Sequence, residues 1–171
     1  MSNRILTVDG TWIEPDWQVL RDEQDSVAAG QGVLLPLPTW LARKAEGTLV
    51  GRNSVWLAGA DDPAALAPDL ATLPIIAIDF PRFFDGRGYS TAALLRRYNY
   101  HGELRAVGEV LIDQIFHLKR VGFTSFALRA DQNPDEAVAA LKRYSNFYQG
   151  STDNPLPLFR RRQQATTEAT S

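Results

Sequence analysis

Cysteine is absent from all 171 residues, and methionine and histidine are scarce, at one and two copies. Without cysteine the chain has no disulfide, no thiolate-held zinc or iron–sulfur cluster and no thiol nucleophile, so any redox centre must come from elsewhere. An excess of either charge is lacking too. Eighteen basic against twenty acidic residues leave a formal charge of −2, too little to attract nucleic acid or an anionic membrane. No apolar run of signal-peptide length follows Arg4, and none approaches the roughly 20 residues of a membrane span. A cytoplasmic chain with neither membrane nor nucleic-acid partner is the expectation. Neither the dinucleotide glycine fingerprint nor the Gly-Lys-Ser/Thr of a P-loop occurs, which leaves nucleotide binding without specific support.

What is present suits one domain: 44% hydrophobic residues can bury a continuous core in a chain of this length. Residues 1–50 read as an irregular lead-in, 51–149 as the α/β core, and 150–171 as a tail rich in Ser, Thr, Pro and Gln whose end should be disordered. Within the lead-in, Ile5–Val8 and Thr11–Ile13 flank Asp9-Gly10, a hairpin turn dipeptide. Pro36 and Pro38 are expected to block regular structure until Thr39 caps a short helix from Trp40 to Glu46, ended by Gly47. Trp12, Trp17 and Trp40 read as anchors over the core.

From Ser54 onward, apolar strands alternate with helices. Val55–Ala58, Pro74–Phe80, Leu104–Gly108 and Thr124–Leu128 read as buried strands. Between them, Asp62-Pro63 opens a helix carrying Leu66, Leu70 and Leu73 that Pro68 kinks or splits. Ser90 caps a helix to about Tyr98, and Glu109–Val121 buries Leu111, Ile115 and Leu118. Asn133-Pro134 opens a last helix, to about Tyr148, burying Ala137, Val138 and Leu141. The fold class is therefore α/β: alternating β-α units with a small parallel sheet, half-barrel-like or open, preceded by a short N-terminal hairpin. Four strands leave edges for the hairpin or a second copy to cover, and a homodimer is expected.

Two clusters stand out chemically. The run from Asp79 to Ser90 follows a buried strand and precedes a helix, where ligands bind in open parallel sheets and (β/α) barrels. Gly86 and Gly88 permit close backbone approach, Arg87 offers a planar donor fork, and the N–H groups near Ser90 favour an anion. The alternative is structural: Asp85 pairs with Arg87 while Ser90 caps. In the second cluster Arg105 lies inside an apolar strand and needs a partner, either Asp79 or Glu103. Glu109 and Asp113 fall at i and i+4 on the next helix. With Asp85 they are the candidate acid–base residues. His117 lies too far along that helix to share one ion with Glu109, about 12 Å at the standard rise, so no metal site is expected.

The words Asp79-Phe80, Asp85-Gly86-Arg87-Gly88-Tyr89-Ser90, Leu95-Arg96, Gly102 to Gly108, Asp113-Gln114 and Gly122-Phe123 resemble the bacterial domain of unknown function 934, over about Trp40 to Phe159. That resemblance implies an oxidoreductase description tied to sulfite reduction, a pathway association that transfers no catalytic residue. Val121 stands where some members carry cysteine, so no thiol chemistry carries over at that point. Two function classes stay open. One is an accessory protein that docks with sulfite reductase or holds a small oxyanion through Arg87 and Arg105, binding no cofactor of its own. The other is an enzyme, oxidoreductase or acid–base catalyst, acting on a small anionic substrate. A noncovalent flavin stays open because such sites need no short motif.

Overall fold

The computed structural model describes residues 4–21, 30–143, 148–152 and 154–168. The turn at Asp9-Gly10 forms as its sequence implies: β1 (Ile5–Thr7) and β2 (Trp12–Ile13) pair antiparallel, with Leu6 opposite Trp12. The Thr7 hydroxyl and the Thr11 N–H both donate to the Asp9 carboxylate and tie the turn together.

The lead-in is more regular than its composition implies. It contributes two parallel strands, β3 (Trp17–Val19) and β4 (Gly32–Pro36), and then α1 (Leu37–Glu46). Pro36 ends β4 rather than breaking the chain. Pro38 sits in the first turn of α1, where a missing N–H costs no hydrogen bond, so the helix starts before Thr39. Gly47 closes it in a left-handed conformation. Trp17 and Trp40 are buried, and Trp12 packs against the core from its rim.

The alternating elements then follow: β5 (Asn53–Leu57), a 3₁₀ turn (Pro63–Leu66), β6 (Ile75–Phe80), α2 (Arg87–Arg97), β7 (Glu103–Gly108), α3 (Ile112–Arg120), β8 (Ser125–Phe126) and α4 (Pro134–Leu141). Asp62 accepts from the Ala64 N–H at 2.9 Å, and Asn133 accepts from the Asp135 N–H at 2.9 Å, so both Asx-Pro starts act as caps. Two further helix starts differ from expectation. Helix α2 begins at Arg87, not after Ser90, and α3 begins at Ile112, which leaves Glu109 in the preceding turn. Helix α4 ends at Leu141, and residues 144–147 lie outside the described residues. The tail, expected to lack regular structure, carries α5 (Leu158–Glu168). Among the described residues no helix is long and apolar enough to cross a membrane.

All eight strands join one sheet in the order β2-β1-β8-β7-β6-β5-β4-β3, parallel from β3 to β8, with the hairpin added antiparallel at β8. Its edges are β2 and β3, and only Glu14, Pro15 and Asp16 join them. Seven strand spacings would set the edges of a flat sheet about 34 Å apart. The step from Ile13 to Trp17 spans at most about 15 Å. The sheet therefore has to curl, and it forms a half-barrel.

The two faces of the curl differ. The outer face packs Val55, Leu57, Ile76, Ile78, Phe80, Leu104, Ala106 and Phe126 against the helices in one large core. The inner face holds a smaller cluster of Trp17, Leu34, Ile75, Ala77 and Val107, edged by Val19, Trp56 and Ala127, to which no helix among the described residues contributes.

Candidate functional site

Arg105 lies on the inner face because it alternates with Leu104 and Ala106, which face the helices. It stands level with Ala77 on β6 and Ser125 on β8, and these small neighbours leave room for the guanidinium. The side chain is only 2% exposed. Nε donates to Glu103 Oε1 at 2.9 Å and, more weakly, to the Ser125 hydroxyl at 3.3 Å, while Nη2 reaches Glu103 Oε1 at 2.8 Å and Asp16 Oδ1 at 3.3 Å. Of the two partners expected, Glu103 is the one found, through their i, i+2 placement on one face of β7. Asp79 is not a partner: it sits two residues nearer the carboxyl end of its strand than Ala77, level with Val107. Asp16 closes the pair from across the curl and shares its other oxygen with Arg52 at 3.4 Å.

Asp79, 7% exposed, accepts a 2.5 Å bond from Arg21, whose guanidinium also lies 5.5 Å over the Trp56 ring. Beside it, Gly108 holds φ at +94°, and a Cβ there would meet the Phe80 carbonyl oxygen at 2.5 Å and Asp79 Oδ1 at 2.8 Å. Only glycine lets these two strand ends approach so closely.

In the loop after β6, Asp85 and Arg87 make the structural pairing: Nε donates to Oδ1 at 2.9 Å and Nη2 to Oδ2 at 2.6 Å, and the Arg87 backbone N–H adds a third bond at 3.1 Å. The carboxylate of Asp85 thus occupies the place an exogenous anion would take at the start of α2. Gly86 flanks that helix, and Gly88 packs where a Cβ would fall 2.6 Å from the Phe80 ring. Ser90 is exposed inside α2 and caps nothing. The loop tip projects Phe83 and Phe84, 52% and 66% exposed, packed edge to face at 5.2 Å, with Arg82 stacked over Phe84. The Gln114 side chain donates to the Phe83 carbonyl and anchors the tip to α3.

The bonds from Arg87 hold the Asp85 carboxyl down to about 2. A folded-state value below the unfolded one means that the pair contributes fully above the ordinary carboxylate range and is lost as pH falls through about 2. A carbon-detected NMR titration should show Asp85 still ionised at pH 3. A midpoint near 4 would mean that the pair does not persist in solution.

The remaining candidates separate. Glu109 is bound by Arg129 at 3.0 Å, and Arg129 also forks onto Asp131 with two 2.7 Å bonds, which drive the Asp131 carboxyl far below its usual range. Asp113 is exposed in the first turn of α3. The expected helical face joining Glu109 to Asp113 does not form, because the helix starts between them. Arg87 and Arg105 share no partner and lie in different parts of the fold. Asp16 and Arg21 were not among the sequence candidates, whereas Asp79 was, as a partner for Arg105 rather than for Arg21. Asp16 and Arg21 carry no local signal, since only the curl brings them to Arg105 and Asp79.

No curated protein and no solved structure matches the chain. The family model described as bacterial protein of unknown function (DUF934) matches residues 54–159, which begin at β5 rather than near Trp40 and include the loop tip, Arg105 and its partner Glu103. That match covers more than half of the chain, which therefore belongs to the DUF934 family.

Proposed function

We propose that the chain is an accessory protein of sulfite reduction, docking onto sulfite reductase through the loop after β6 rather than carrying out the chemistry itself. The pathway comes from the family resemblance. What supports docking is the tip: two adjacent, largely exposed phenylalanines on a loop pinned by Gln114, with Arg82 and Arg87 beside them. Aromatic and arginine side chains dominate the energetically important parts of protein interfaces. Water-exposed rings of this size gain most by being covered.

The enzyme alternative is less well supplied. Asp85 is too acidic to be an effective base near neutrality. Glu109 is committed to Arg129, and Asp113 stands exposed and away from the inner face. The purified protein is therefore expected to be colourless and without NAD(P)H oxidase or sulfite reductase activity, and a stoichiometric flavin or haem spectrum would overturn this. Binding to immobilised sulfite reductase should weaken at least tenfold in Phe84→Ala, about the effect of losing one interface anchor. Since Phe84 is mostly exposed, the variant should melt like the wild type. Undiminished binding would exclude the tip as the contact.

A further inference from the structure

A cleft of about 400 Å³ opens on the inner face of the curl and reaches the seam between the two edge strands, where Pro15 lines it. We infer that this cleft binds a small organic monoanion, with its acidic oxygen on Arg105 Nη1 and an aliphatic body against Ile5, Val19, Val107 and Ala127. The volume falls in the range of small-molecule sites, which combine apolar walls with a few convergent polar groups.

The head-group assignment rests on Arg105. Its Nε and Nη2 are taken by Glu103, Ser125 and Asp16, whereas Nη1 makes no hydrogen bond to any described residue. The side chain is only 2% exposed and lines the cleft, so little of the guanidinium is left to bulk water and a ligand in the cleft can offer Nη1 an acceptor.

Charge then limits the ligand. Around the guanidinium, Arg105 and Arg52 are balanced by Glu103 and Asp16, and at the strand ends Arg21 is balanced by Asp79. A single negative charge can be met by the charge-assisted Nη1 donor; a phosphate-bearing polyanion would crowd two carboxylates with no cation to spare. The apolar side chains Ile5, Val19, Val107 and Ala127, set among Gln18, Gln31 and Arg21, disfavour a bare inorganic ion, which would give up part of its hydration against them. An acid with a short hydrocarbon chain satisfies both ends.

This site is independent of the loop tip, so the two readings fail separately. Hexanoate, 1-hexanol and sulfate serve as probes, read by saturation-transfer NMR and by titration calorimetry on the full chain. Hexanoate should bind at least about tenfold more tightly than hexanol or sulfate, the worth of one charge-assisted hydrogen bond. Arg105→Met should remove that preference. Ala127→Leu, which fills the cleft and leaves the arginine network intact, should weaken hexanoate by a similar factor. This second variant decides the matter should Arg105→Met fold poorly. Phe84→Ala should leave hexanoate binding unchanged. No hexanoate binding at millimolar concentration, equal binding of sulfate, or hexanoate binding untouched by Ala127→Leu would each overturn the assignment.

Discussion

Glu103→Ala is expected to destabilise the protein by about 3 kcal/mol, because it strips the chief partner from a buried cation. Glu103 itself is part-exposed and could be rehydrated if left alone. Arg105 could not: its side chain is nearly inaccessible, and only the longer 3.3 Å contacts to Asp16 and Ser125 would remain. The asymmetry gives the prediction a second arm. Arg105→Met keeps most of the volume and leaves only a part-exposed carboxylate unpaired, so it should be clearly milder than Glu103→Ala. The double variant Glu103→Ala/Arg105→Met should recover most of the loss. Urea midpoints at neutral pH measure all three, and a double variant no more stable than Glu103→Ala alone would mean that the pair is not the source of the effect.

Gly108→Ala should be comparably harmful for a different reason. Its φ of +94° is one that a side chain rarely adopts, and the new Cβ would lie 2.5 Å from a backbone carbonyl that cannot move without displacing β6. The left-handed conformation alone is unfavourable by about 1–2 kcal/mol. With the clash at a central strand the total should exceed about 3 kcal/mol. Gly86→Ala is the control, since φ is −77° there and a Cβ would meet nothing within 4 Å. A change within about 1 kcal/mol is expected, and equal losses at the two glycines would contradict the geometry.

The parts of the fold that could be read from sequence were those with local causes. Asp62-Pro63 and Asn133-Pro134 cap their helices through their own side chains, and the strands from β5 to β8 announce themselves as apolar runs because helices cover one face and the curl covers the other. Strands β3 and β4 were hidden because Trp17–Val19 is short and β4 runs into Pro36, which closes it without interrupting it. The start of α2 was misplaced because Gly86-Arg87-Gly88 reads as a loop, given the weak helical preference of glycine. In the structure Asp85 meets the first N–H, and Gly88 is needed for contact with Phe80. At the site, Glu103 was legible as the partner of Arg105 because they are two apart on one strand. Asp16 was not, being brought in only by closure of the curl.

That closure sets a schedule for folding. The region matched to the family begins at β5, and within it β5 and β8 are the outer strands; β4 and β3 cover the first, and β1 and β2 the second. One N-terminal segment thus seals both flanks, yet Leu6 pairs with Phe126, which leaves the ribosome far later. Strand β1 is made well before the strand it pairs with, and long-range pairing of this kind slows folding. Until β8 exists the hairpin has no sheet to join, so a nascent chain paused before residue 126 holds an unpaired hairpin and an open strand, the condition in which sheet proteins are most prone to associate with one another.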